Sequence, residues 1–201
     1  MIKYILTVLL VGAVAGYANS VWGSAVTDSW LSYLFDVALL VLLFVMGLSF
    51  GLDKVAMGKL RRVGVKILVL PFCIALGSVV GGLVGGLLLG IDVFGSMAVC
   101  AGFGWYTLAG PLAGQLLGTE FGALGFAVNF LRELLTIATV SLTAKMGKYV
   151  TVAFGGATTM DTTLPVIVRY CGSEALIAAF SSGFVLSMIA PFVITAIASL
   201  G

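Results

Sequence analysis

Two carboxylates stand inside apolar segments of this chain. Glu133 lies within Asn129-Phe-Leu-Arg-Glu-Leu-Leu-Thr136, and Asp161 lies within Gly155-Gly-Ala-Thr-Thr-Met-Asp-Thr-Thr-Leu-Pro165. A charge held at the centre of a bilayer costs about 3 kcal/mol on insertion scales, so an acid retained there marks a functional site. Burial ties the charge state of an acid to its surroundings, which makes both groups candidates to take up and release protons. Asp161 is flanked by Thr158, Thr159 and Thr162, whose hydroxyls add further polar atoms. Asp is a favoured N-cap and Pro is tolerated in a first helical turn. Asp161 is therefore expected to cap a half-helix over 162–170, whose N-terminus would itself attract an anion.

Around Glu133 the residues Asn129, Arg132, Thr136, Thr139 and Thr143 recur at spacings of three and four, one polar stripe on a helix. Threonines alone would make a hydrogen-bonded packing seam. Arg132 and Glu133 need more than that: neighbours in sequence point about 100° apart on a helix, so they do not face each other and each requires its own partner. Trp105 and Tyr106 belong to Gly102-Phe-Gly-Trp-Tyr-Thr-Leu-Ala-Gly-Pro111, where they read either as interfacial anchors or as cavity lining.

The elements that must position these groups are set by composition. The chain has 201 residues, 61% hydrophobic and only 9% charged, with a mean hydropathy of +1.23, whereas a soluble domain carries roughly 25% charged residues. Apolar segments fall at 4–19, 29–51, 64–91, 93–117, 121–144, 149–169 and 174–200. The fold class expected is an all-α polytopic membrane protein, a single transmembrane domain over 1–201. Five segments read as membrane spans. Those at 93–117 and 149–169 read as helices broken by Gly102–Pro111 and Gly155–Pro165, and broken backbone survives at membrane depth only in protein or beside water. Segment 4–19 could also pass for a secretory signal, but its Gly12 and Gly16 suit helix packing, so it reads as the first span.

Charge placement selects a topology. Lys54, Lys59, Arg61, Arg62 and Lys66 gather in one loop, which reads as a cytoplasmic loop obeying the positive-inside rule rather than as a nucleic-acid patch. If the two broken segments are re-entrant hairpins, one from each face, Lys145, Lys148 and Arg169 also fall inside. The N-terminus is then cytoplasmic and the C-terminus extracytoplasmic. Broken helices that cross fully are the alternative. The hairpin arrangement has the order of an inverted-repeat transporter core, although the halves share no residue-level similarity. Asp36 reads as an acid near the outer interface. Gly77, Gly81 and Gly85, with Gly82, Gly86 and Gly90, read as small-residue seams. Ser181 and Ser182 are candidate cavity lining, and Pro191 marks a kink.

Chemistry is excluded as well as suggested. The chain has no histidine and three cysteines, scattered without motif spacing, so no disulfide framework, metal site or cofactor is expected. Asp161 lacks the sequence context of a membrane aspartyl protease. The reading is of a carrier, not an enzyme.

The strings Gly102-Phe-Gly-Trp-Tyr-Thr-Leu-Ala-Gly110, Arg132-Glu133 and Gly156-Ala-Thr-Thr-Met-Asp-Thr-Thr-Leu-Pro-Val166 resemble the lysine exporter family known as LysO, over nearly the whole chain. The resemblance implies efflux of L-lysine and its toxic analogue thialysine across the inner membrane, in exchange for protons, with Glu133 and Asp161 as the acids tied to export. Single-chain members carry further helices ahead of the matching part, so this chain resembles about their C-terminal two-thirds. A homo-oligomer or a separately encoded short membrane subunit is expected to supply the rest, and lipid, lysine and protons are the other expected partners. Rival readings are a monovalent cation/proton antiporter and a non-transporting subunit.

The basic-residue count generates a first prediction. A cysteine placed at position 148, in a variant lacking Cys73, Cys100 and Cys171, should resist an impermeant thiol reagent applied from outside. Efficient labelling there would mean that the broken segments cross fully.

Overall fold

The computed structural model describes residues 2–23 and 69–201, with isolated positions between 29 and 52. Asp36 and the basic cluster from Lys54 to Lys66 lie outside the described residues. The chain divides into two compact units, Met1–Leu48 and Ser49–Gly201. In the first, α1 (Ile2–Trp22) covers the segment expected at 4–19, and the positions described between 29 and 48 are helical.

The second unit holds α2 (Val69–Leu89), α3 (Val93–Cys100), α4 (Tyr106–Leu117), α5 (Thr119–Met146), α6 (Lys148–Gly155), a 3-10 turn (Gly156–Met160), α7 (Leu164–Cys171) and α8 (Ala175–Ala198). Among the described residues there is no strand. The chain is an all-helical membrane protein: α2, α5 and α8, of 21, 28 and 24 residues, are long and apolar enough to span a bilayer. At 1.5 Å per residue the shortest reaches about 32 Å, against a hydrocarbon core of about 30 Å.

The remaining helices of this unit cannot span alone. Those of the two interrupted segments have 8, 12, 8 and 8 residues, or about 12–18 Å each. Their neighbours fix their directions. Along α3, Gly95 meets the Phe121 ring and Gly102 meets Asn129, so α3 runs parallel to α5. Along α4, Ala109 faces Gly125 and Gly114 faces Gly122, so α4 runs back the other way. The limbs α3 and α4 are thus antiparallel, with their tip beside Asn129. The second segment folds likewise. Its tip carbonyl Phe154 meets Arg132, while Cys171 Sγ donates to Thr151 Oγ1 at 3.5 Å and Lys148 pairs with Glu174 at 3.0 Å toward the open end.

The first break is shorter than the sequence suggested. It occupies 101–105, and Pro111 falls inside α4, where it removes only one amide donor, that aimed at Thr107 in the first turn. Close helix contact comes from glycine. A methyl at Gly122 would stand 2.9 Å from Gly114 Cα, and one at Gly125 would stand 2.7 Å from the Ala109 carbonyl oxygen, so α4 and α5 touch backbone to backbone. On α2, Gly82 and Gly86 seat α3, whereas a methyl at Gly77, Gly81 or Gly85 would meet no described atom within 4 Å. Only one of the two expected glycine seams is filled by the described residues.

The two tips meet. The Ala157 amide donates to the Phe103 carbonyl at 2.8 Å, with Phe103 at φ 54, Gly104 at φ 103 and Gly156 at φ 62. Gly156 is required twice over, because its φ favours glycine and a methyl there would collide with the Phe103 oxygen. Replacing Gly156 with Ala should destabilise the protein by about 2 kcal/mol or more, read as a lowered melting temperature in detergent. Gly81→Ala, facing open space, should leave it unchanged. Equal melting of both variants would show that the tips do not pack as described.

Candidate functional site

The site is built where the tips cross α5. That helix buries Gly125, Asn129, Glu133, Thr136, Val140 and Thr143, the face marked by the polar stripe. Its threonines bond back into their own helix, Thr136 Oγ1 to the Arg132 carbonyl at 2.7 Å and Thr139 Oγ1 to the Leu135 carbonyl at 2.6 Å. They are packing residues, a local bond that serine and threonine commonly make.

Asn129 organises the first tip. Its Oδ1 accepts the Gly104 amide at 2.7 Å, and its Nδ2 donates to the carbonyls of Val99 at 2.9 Å and Gly125 at 2.8 Å. Both ends of this amide are committed to backbone, so the structure places Asn129 as a clamp on the break.

Arg132 organises the second tip. Nε donates to the Phe154 carbonyl at 2.9 Å, Nη2 to the Ala153 carbonyl at 2.8 Å and Nη1 to Ser78 Oγ of α2 at 2.9 Å. The guanidinium therefore caps the C-terminal end of α6, where helix carbonyls lack partners and the dipole favours a cation. A cleft of about 720 Å³ opens beside it, lined by apolar groups of α2, α5 and α6 such as Ile74, Leu131 and Phe154. Ser78 could have been noticed in the sequence as the lone polar residue at the middle of an apolar span.

Glu133 points elsewhere. It is 8% exposed, near the middle of a 28-residue helix, and its Oε2 is buried without a hydrogen-bond partner. Tyr106, at the start of α4, is close enough to feel the charges of both Glu133 and Asp161. The Tyr106 ring is set edge-on against Phe126 and Phe130, each at a centroid distance of 5.4 Å. Those two phenylalanines stack one turn apart on α5, and their spacing of four, just before Arg132-Glu133, is the signal that could have revealed them.

Asp161 is exposed and does not cap the following helix. The helix begins at Leu164 with Thr163 as N-cap and no side-chain cap bond, while Asp161 Oδ1 accepts the Thr162 amide at 2.5 Å. The expected 162–170 cap fails because the 3-10 turn carries the chain to Met160, and the helix cannot start until after Thr163. Thr162 is also exposed. Thr158 and Thr159 are buried and serve the turn: Thr158 Oγ1 donates to the Gly155 carbonyl at 2.9 Å, and Thr159 Oγ1 lies 2.7 Å from the Gly156 carbonyl and 2.8 Å from that of Ala179 on α8. Trp105 is half-buried as the N-cap of α4, beside Tyr106. Ser181 and Ser182 on α8 are buried with unpartnered hydroxyls.

The arrangement thus gathers Glu133, Tyr106 and Asp161 on one side of α5 and fixes Arg132 on another. It offers a buried carboxylate oxygen without a hydrogen-bond partner, and an exposed carboxylate on the second tip whose charge also reaches Tyr106.

The family described as "Lysine exporter LysO" matches residues 6–198. The chain is 30% identical over 161 residues to "Lysine exporter LysO" of Escherichia coli, covering 79% of this chain and 53% of that protein. It is 25% identical over 192 residues to "Putative lysine exporter" of Haemophilus influenzae, covering 94% of each. The chain thus spans about half the length of the first relative. No solved structure matches it.

The capping geometry yields a prediction. Arg132→Lys keeps the charge but not the planar fork that reaches three acceptors on two elements. It should destabilise the protein by about 2–3 kcal/mol, read by thermal unfolding in detergent. Unchanged melting would remove the capping role.

Proposed function

The chain belongs to the lysine exporter LysO family, and from that membership we propose that it exports L-lysine, and analogues such as thialysine, in exchange for protons. The observation that carries the proposal is the buried Glu133 carboxylate, whose Oε2 has no hydrogen-bond partner, on the helix that the two broken segments cross. A cationic ammonium and a proton compete for such a site, which is the simplest coupling. An inside-negative potential opposes export of a cation by about 2.3 kcal/mol per 100 mV. Exchanging one lysine cation for one proton is electroneutral and cancels that opposition.

Arg132 supports an organic substrate over a small metal cation. In transporters with broken helices the C-terminal ends of half-helices coordinate such ions. Here the last carbonyls of α6 are already occupied by the guanidinium. With those donors engaged, the substrate carboxylate is better served by the open N-terminus of α7, which has no side-chain cap.

The proposed membrane arrangement follows from the antiparallel limbs. The hairpin α3–α4 enters from the outer face and α6–α7 from the cytoplasmic face of the inner membrane, as inverted repeats do. The N-terminus is inside and the C-terminus outside. Lys145 and Lys148 at the α5–α6 junction then lie inside, in keeping with the positive-inside rule. A second copy of the chain, or a short membrane subunit, is the partner expected in the same proposal.

The test is transport by isosteric variants in vesicles. Glu133→Gln and Asp161→Asn keep shape and delete the ionisable proton, so each should abolish lysine-driven proton flux while inserting normally. Asp92→Asn is the matched control. Asp92 caps α3 by accepting the Gly95 amide at 2.6 Å, and Asn caps equally well. Full transport by both Glu133→Gln and Asp161→Asn would overturn the coupling.

A further inference from the structure

Beside Arg132 lies a cleft that the two acids do not use. It holds about 720 Å³ between α2, α5 and α6, a volume in the range of sites that bury small molecules. Leu131 and Leu135 of α5 and Phe154 of α6 are exposed along it, and so is Cys73 of α2, so it opens to the side of the unit. Among the described residues its polar wall, apart from the Cys73 thiol, is Ser78 and Arg132. Those two bond to each other, and the guanidinium also to the α6 carbonyls. With both committed and a charge costly at hydrocarbon depth, the interior of the cleft calls for hydrocarbon.

Its length is that of one leaflet. On α2 the lining runs from Leu70, in the first turn, to Ser78 near the middle, a stretch of helix that rises about 12 Å. Half of a hydrocarbon core of about 30 Å is about 15 Å. The cleft thus leads from one end of a membrane-length helix to the middle of the bilayer. Lys54, Lys59, Arg61, Arg62 and Lys66 precede that end of α2 in sequence, and a polybasic run next to a membrane helix attracts anionic headgroups.

We propose that this cleft binds one acyl chain of an anionic phospholipid, its tail laid against Ile74, Leu131 and Phe154 and ending at the Arg132 clamp. A tail seated there keeps water from the guanidinium and from the carbonyls of Ala153 and Phe154 that it holds, and a hydrogen bond in a low-dielectric setting is the stronger for it. The bound chain is then a structural part of the second break, whatever the protein carries. Gly77 and Gly81 separate this site from the rest of the helix surface. A methyl at either would meet no described atom within 4 Å, but Gly77 lines the cleft and Gly81 stands outside its lining. A leucine at 77 fills the place of the tail, and one at 81 does not.

The experiment uses the full chain with Cys73 as its single cysteine (Cys100→Ala, Cys171→Ala), delipidated in a steroid-based detergent that carries no alkyl chain. N-ethylmaleimide reports access to the cleft. Saturating palmitoyl-oleoyl phosphatidylglycerol should slow modification of Cys73 by about 10-fold and raise the melting temperature. Phosphatidylcholine with the same chains should need a concentration at least about 10-fold higher, since each basic residue near a headgroup contributes roughly a fivefold preference for the anionic lipid. Gly77→Leu should lose both responses to phosphatidylglycerol, and Gly81→Leu should keep them. Equal responses in the two leucine variants put the lipid elsewhere and overturn the inference, as does equal potency of the two lipids. A Cys73 that resists the reagent before lipid is added also overturns it, because protein, from this chain or a second copy, then covers the cleft. If Gly77→Leu does not fold, protection of Cys73 and the comparison of the two lipids decide.

Discussion

The hydrogen bond from the Ala157 amide to the Phe103 carbonyl expresses the constraint on which this fold depends. Two helical segments are interrupted where the chain is buried, and there each freed backbone group must find a partner within the protein or lose several kcal/mol. The breaks supply part of each other's needs, and the side chains around them supply the rest. Asn129 serves the first break from α5, Arg132 serves the end of α6, and Thr158 and Thr159 serve the second break from within. Most of the polar atoms in the centre of the unit are thus spent on holding irregular backbone. That leaves the exceptions conspicuous, and Glu133 Oε2 is one of them.

This division assigns different work to adjacent residues. Arg132 and Glu133 carry opposite charges, yet they do not neutralise each other, because the helix turns them toward different neighbours. The cation is fixed against carbonyls and a serine, and its charge complements a helix end. The anion keeps a buried oxygen with no hydrogen-bond partner. A charge that is structurally satisfied is poorly suited to binding, and one left partly unsatisfied is well suited to it. The same helix provides one of each.

Much of this was legible in the sequence. The stripe from Asn129 to Thr143 predicted the buried face of α5, since its residues repeat at helical spacing and polar atoms in lipid turn inward. Gly102-Phe-Gly104 and Gly155-Gly156 marked the breaks, because only glycine-rich backbone takes those turns at close quarters. What was not legible depends on contacts between distant segments. Ser78 and Arg132 are 54 positions apart, and no local pattern joins them. The role of Asn129 as a clamp, the 3-10 turn that displaces the helix start to Leu164, and the aromatic clasp on Tyr106 follow from tertiary packing alone. Only one of the two glycine rows of α2 meets a described helix, although periodicity made them equivalent.

The glycine contact between α4 and α5 has a mechanical consequence. With Gly114 and Gly122 backbone to backbone, no flexible side chains lie between these helices to take up sliding, so the first hairpin and α5 form a single stiff body. The 3-10 turn is fastened to α8 through Thr159 and Ala179, which makes a second. The boundary between them is stitched by the Ala157–Phe103 bond and the Arg132 guanidinium. Glu133 rides on the first body and Asp161 on the second. Any displacement along that boundary therefore changes the separation of the two acids.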